Sequence, residues 1–293
     1  MDYEIALKRL QALPIWQGEI TATPLGGGRT NLNFTVTDDS GSYVARFGED
    51  LPEHQLLRFN ELAASRAAHA AGLSPAVRHV ETGLCVVDYI ASKTLDEPDI
   101  GAEGMLERII PLVQKCHKEM PKHFRGPALI FWVFHVIRDY AATMADRGST
   151  YSSKLPEFLQ ICEALEAASG PFDIVFGHND LMAANFLDDG KRLWLIDWDY
   201  AGFNTPLFDL GGLASNNSLT DTQESHMLEL YFDGPISADL KQRYAAMKCA
   251  SLLRECMWSM VSELTSTLDI DYAAYTAENL DRFQRAYDTY KQS

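Results

Sequence analysis

From Leu32 to Thr37 the chain alternates: Leu32, Phe34 and Val36 face one way, Asn33, Thr35 and Thr37 the other. A period of two is the signature of a half-buried strand. Turn-forming letters bracket it, Gly26 to Gly28 before and "DDSGS" after, so Glu19 to Phe47 predicts three strands. Next comes "EHQLLRFNELAASRAAHAAG", rich in Ala and Leu, with Gly72 at its end and Pro75 just beyond. That punctuation predicts a helix. "AVRHVETGLCVVDYI" then gives two more strands folded about Thr82 and Gly83.

After about residue 92 the spacing becomes helical, in "GMLERIIPLVQKCHKEM", "IFWVFHVIRDYAATMADR", "LPEFLQICEALEAAS" and the run that starts "LKQRYAAMKCASLLREC". One stretch departs from it. Val175 and Phe176, Asn185 to Leu187, and Trp194 to Ile196 look like short strand pieces, the last two separated by the turn "DDGK". The pattern predicts an α+β chain with a small N-terminal antiparallel sheet lobe and one helix, residues 1–92. A larger, mainly helical C-terminal lobe follows over 93–293, with the boundary in the polar "ASKTLDEPD".

Composition changes this picture little. At 293 residues the chain can bury a substantial core in one domain or two lobes. The five cysteines are scattered and never spaced C-x-x-C, which suits reduced core thiols rather than a disulfide framework or a zinc site. A formal charge of −16 argues against a nucleic-acid footprint. It serves solubility, and an acidic surface also draws in a cationic substrate. No apolar run is long enough to span a bilayer. "MDYEIALKRLQAL" resembles neither a signal nor a transit peptide, so a cytoplasmic location away from membranes is expected.

The chemistry gathers where the helical pattern breaks. His178, Asp180 and Asn185 form H-x-D-x-x-x-x-N, and Asp197 closes the apolar run "LWLI" twelve residues after Asn185. That order suits phosphoryl transfer: Asp180 accepts the proton of a substrate hydroxyl, while Asn185 and Asp197 offer hard oxygens to Mg2+ on the phosphates of ATP. Asp and Asn also cap turns, and singly each of them fits that role as well. In "PLGGGRTNLNF" the residues Gly27, Gly28, Thr30 and Asn31 offer backbone N–H groups to an anion, although a plain glycine-rich hairpin reads the same way. A phosphate-binding cation on the third strand, oriented by an acid on the next helix, would be Arg46 with Glu61; a surface Arg on an edge strand is the alternative.

With "LIDWDYAGFNTPLFDLG", from Leu195 to Gly211, a resemblance can be stated. The chain resembles the choline/ethanolamine kinase branch of the aminoglycoside-phosphotransferase superfamily, which shares the bilobal protein-kinase fold. Asp197, Asp199, Tyr200, Asn204, Phe208, Asp209 and Gly211 keep step with its I-D-[FW]-[ED]-Y-x-x-x-N-x-x-x-[FY]-D-[IL]-G pattern. "GGGRTNLNF", "RFNEL" and the tail from Trp258 match as well, and Glu119 to Ser169 is the least similar part. The resemblance implies ATP and Mg2+, a small cationic alcohol as acceptor, and an ammonium cage at Tyr200, Trp258, Tyr272 and Tyr275. It also places Asp88 and Tyr89 at the hinge that meets adenine through its backbone.

Two departures bear on the acceptor. A second Trp of the family pattern is Glu255 here, and an acidic residue of that pattern is Asn216. Glu255 would restore the negative charge, which suits ethanolamine at least as well as choline. The expectation is thus a kinase acting on the hydroxyl of choline or a related amino alcohol. Aminoglycoside, thiamine and methylthioribose kinases of the same superfamily, and a nucleotide-binding module without turnover, are the alternatives.

Overall fold

A computed structural model describes residues 3–26, 31–266, 268 and 270–292. The chain opens with helix α1 (Tyr3–Gln11), then strands β1 (Thr21–Leu25), β2 (Leu32–Asp38) and β3 (Gly41–Phe47), helix α2 (Arg58–Ala70), and strands β4 (Val77–Glu81) and β5 (Leu84–Asp88). The five strands form one sheet in the order β1-β2-β3-β5-β4, antiparallel throughout. The alternation predicted for β2 is realised: Phe34 and Val36 are buried beside Ala45, Phe47, Leu84 and Val86, and α1 closes this small core with Ala6 and Leu10.

The predicted helix over 53–72 begins later than its composition suggests. Gln55 takes a left-handed backbone, and Leu51 pairs with Leu56 instead of entering a helix. The Asp50 carboxylate accepts the N–H of Arg58, and α2 starts there. Its Ala64, Ala67 and Ala68 belong to the larger core, against the helix α4 introduced next, and not to the core of the sheet.

β6 (Lys93–Thr94) then leads into α3 (Glu97–Ile100), α4 (Met105–His123), α5 (Val133–Asp146) and α6 (Leu155–Ala168). The chemical stretch follows as β7 (Val175–Gly177), β8 (Phe186–Asp188), β9 (Leu193–Leu195) and β10 (Gly202–Asn204). It ends in α7 (Pro206–Asn216), α8 (Asp221–Phe232), α9 (Ala238–Thr265) and α10 (Tyr272–Gln292). β6, β8 and β9 pair antiparallel, and so do β7 and β10; periodicity gave no sign of β10. The long helix α9 packs on α5, α6, α7 and α10, and at Gly211 a Cβ would stand 2.9 Å from the Cα of Lys248. Only glycine lets α7 and α9 come that close. Two hydrophobic cores, a small one in the sheet and a large one among the helices, give the expected bilobal α+β fold. All five cysteines are free thiols, and among the described residues no helix is long and apolar enough to cross a membrane.

Candidate active site

The loop between β7 and β8 is fixed before it reaches Asp180. Asp209, on α7, accepts the N–H of His178 at 2.8 Å and of Asn179 at 2.6 Å, and His117 of α4 holds the same carboxylate at 2.8 Å. Burial pushes the Asp209 carboxyl up, but these partners outweigh burial and leave it below the usual range. Asn179 sits at φ 65°, in the left-handed region that Asn tolerates better than most residues. Its amide donates to Tyr200 O at 2.9 Å and accepts from Asn204 at 3.0 Å.

His178 sets the spacing of the loop. Burial lowers its pKa, so the ring is neutral. Nδ1 accepts the N–H of Asp180, so Nε2 carries the hydrogen and donates to Ile196 O at 2.9 Å. Ile196 N–H in turn donates to Asn185 O at 3.0 Å. The residue immediately before Asp197 is thereby stitched to both ends of the segment that carries Asp180 and Asn185.

These contacts bring the three predicted residues together. Burial raises the Asp180 carboxyl to about 7, opposed by Arg254 and reinforced by Glu255 and Asp197, so the two aspartates feel each other's charge. No hydrogen bond occupies the Asp180 carboxylate among the described residues, which leaves it available to a hydroxyl. The Asn185 amide nitrogen donates to Asp180 O at 2.9 Å, leaving its oxygen as the end that can ligate. Asp197 stands at φ 69°, a strained backbone for a residue with a Cβ, of the kind found at functional sites. Its side chain is 36% exposed while Oδ1 is held by Arg46 at 2.8 Å. Two hard oxygens of this kind fit Mg2+, which takes few protein ligands and completes its shell from phosphate and water. They do not make a ready cage: among the described residues no three acidic, imidazole or thiol groups converge to hold a metal.

On the sheet side Arg46 of β3 meets Glu61 of α2 at 3.2 Å, Asp197 at 2.8 Å and Asp199 at 3.4 Å. Sequence reasoning missed Arg58, which binds Glu61 at 2.6 Å, Asp199 at 3.1 Å and Asn31 at 2.8 Å. Gly48 makes room for that last pair, since a Cβ there would fall 2.2 Å from Asn31 Oδ1. Burial, Asp197 and Glu61 raise the Asp199 carboxyl well above the usual range, while Arg46 outweighs burial at Asp197 and lowers it. Gly27, Gly28 and Thr30 lie outside the described residues. At the predicted hinge the Asp88 carboxylate is gripped by Arg78 at 2.5 and 2.7 Å. The amides of Asp88 and Tyr89 donate to Ala76 O and Ser42 O. Ile90 has the next amide along, and it donates to nothing among the described residues.

On the other side the four predicted aromatics do gather. Trp258 donates to the Tyr200 hydroxyl at 2.9 Å, and its ring lies 6.1 Å from Tyr272 and 6.3 Å from Tyr275. Glu255 accepts from Tyr275 at 2.7 Å but also from Arg254 at 2.9 Å, so its charge is already matched. Arg254, unforeseen from the sequence, lays its guanidinium over the Tyr200 ring at 4.4 Å. The only hint was its place in "LLREC", beside Glu255 and one turn before Trp258.

The same architecture recurs in known proteins. A choline/ethanolamine kinase family protein from Mesorhizobium loti superposes with a TM-score of 0.80 at 27% identity, covering 98% of this chain and 95% of the other. The choline kinase LicA from Streptococcus pneumoniae gives a TM-score of 0.76 at 23% identity, with 99% of each chain covered. In sequence, ethanolamine kinase 2 of Homo sapiens is 24% identical over 315 residues, 95% of this chain and 79% of the relative. The profile of the phosphotransferase enzyme family matches residues 21–247, a span that carries Arg46, Asp180, Asn185 and Asp197 together. By that match and that geometry, the chain belongs to the phosphotransferase enzyme family.

Proposed function

We propose that this protein transfers the γ-phosphate of ATP to the hydroxyl of a small amino alcohol of the choline and ethanolamine class. The observation that carries this reading is the stitching of Asp180 and Asn185 to the strand end that presents Asp197, opposite Arg46. Asp180 receives the proton of the acceptor hydroxyl, and a carboxyl raised to about 7 is matched to that task near neutral pH. Arg46 and Arg58 supply the cationic wall for the phosphates, and Ile90 offers the free amide to the purine. Asn185 and Asp197 would hold Mg2+, which neutralises phosphate charge during transfer.

Within that class the site favours a primary ammonium over a quaternary one. The Tyr200 face that would attract a quaternary ammonium already carries the Arg254 guanidinium. ADP release measured with ATP and Mg2+ across ethanolamine, choline, thiamine, an aminoglycoside and methylthioribose tests the reading. Turnover of an amino alcohol is expected; turnover confined to one of the last three would replace it.

A further inference from the structure

Arg254 has more hydrogen-bonding capacity than its surroundings use. It is 4% exposed, with its guanidinium 4.4 Å above the Tyr200 ring and 5.4 Å from that of Phe131. Nη1 donates to Glu255. Nε and Nη2 are buried and meet no acceptor. The Tyr140 hydroxyl also interacts with the guanidinium as a hydrogen-bond partner, yet Nε and Nη2 are left without an acceptor of normal geometry. Unmatched donors on a buried charge are costly, and a side chain needed only to pack on Tyr200 could be apolar. The two vacant nitrogens form one edge of the planar fork, the edge that meets both oxygens of an oxyanion at once.

Position narrows which oxyanion that is. The arginines acting on Asp197, and so on the phosphate side, are Arg46 and Arg58. Arg254 acts instead on Asp180, Tyr140, Tyr200 and Glu255. It therefore stands on the Tyr200 side of the base, among the predicted acceptor-binding residues.

Resting on the amino-alcohol kinase reading above, we propose that the preferred acceptor also carries a carboxylate, seated on the Nε–Nη2 edge of Arg254 with its hydroxyl toward Asp180. Glu255 pairs with Arg254 in the free protein; a carboxylate on Arg254 would share that positive charge and leave Glu255 to balance the acceptor's ammonium, so a zwitterion keeps both side-chain charges matched. In the transfer the acceptor oxygen bonds to the γ-phosphorus and the bridging oxygen leaves with ADP. The hydroxyl proton goes to Asp180, and the carboxylate is unchanged.

Matched acceptors test this on the full chain with ATP and Mg2+: L-serine against ethanolamine and L-homoserine against 3-amino-1-propanol, with products identified by phosphorus NMR. In at least one pair the carboxylated acceptor should show a kcat/KM higher by about tenfold or more, the usual worth of a charge-assisted bidentate contact. Arg254→Lys keeps the charge and removes the fork, and it should erase that preference by raising KM for the carboxylated acceptor. If ethanolamine or choline is turned over and neither carboxylated partner is preferred, the proposal falls while the kinase reading stands. If no acceptor is phosphorylated, both fall. The wild-type comparison decides by itself should Arg254→Lys not fold.

Discussion

Arginines flank the loop that carries Asp180 on both sides, half-buried on one and buried on the other, and the fold treats them differently. Arg46 and Arg58 face Glu61, Asp197, Asp199 and Asn31, a network in which cations and carboxylates answer one another. Arg254 faces tyrosine and phenylalanine rings with one carboxylate, and part of its fork is vacant. The first network can stand without substrate and exchange carboxylate for phosphate when nucleotide arrives. The second reaches its full complement only when something small and anionic enters. A matched cluster stabilises a scaffold; an unmatched one specifies a ligand.

The group between the two sides should give the largest effect. Asp180→Asn is expected to lower kcat by about 10²–10⁴ while nucleotide affinity holds, the range for removal of a positioned base. Nucleotide titration beside initial rates checks both halves, and an unaltered rate would remove Asp180 from the role of base. Arg46→Met should come next, because it takes the ion-pair partner from Asp197 and leaves Glu61 and Asp199 to share Arg58; a loss of about 3 kcal/mol in denaturant unfolding is expected. Arg46→Lys should recover much of that stability. Equal stability for Arg46→Met and wild type would mean that the network does not support the fold.

A subtler contrast lies in pH. The Asp180 carboxyl must be ionised to accept a proton, so kcat/KM should rise as pH increases through about 7. Arg254 lowers that pKa, so Arg254→Met should shift the limb to higher pH, and an unmoved limb would separate Arg254 from the base. The smallest effect concerns His54, which burial, helped by Arg254, keeps neutral down to about 3. Below about 6.5 the unfolded chain takes up a proton that the folded chain refuses, so stability falls as pH drops from there toward 3. Asp180 acts in the opposite sense over much of that window, since its folded pKa lies above its unfolded one. In an Asp180→Asn background, His54→Gln should therefore flatten the acid slope by up to one proton, about 1.4 kcal/mol per pH unit.

The sheet strands and most long helices were legible because burial on one face imposes a period, and β2 and α6 show it plainly. The start of α2 was not, because Leu56 and Leu57 have helical composition and the break rests on the backbone of Gln55. Asp180, Asn185 and Asp197 were readable because phosphoryl transfer orders them along one short stretch. Arg58 and Arg254 were not, since each acquires meaning only from partners distant in the chain: Asp199 for Arg58, Tyr200 for Arg254. The aromatic quartet was expected as an ammonium cage. It forms around Trp258, but its rings also pack on one another and carry an internal cation.

The seating of α2 determines how the molecule can move. Its alanine face belongs to the larger body, so Glu61 travels with the helices while Arg46 travels with the sheet. Their contact is a buckle across the seam between the two lobes. Any tilting of the sheet would load that clasp together with the pairs from Arg46 to Asp197 and Asp199, and a phosphate group that competes for Arg46 would unfasten them from within.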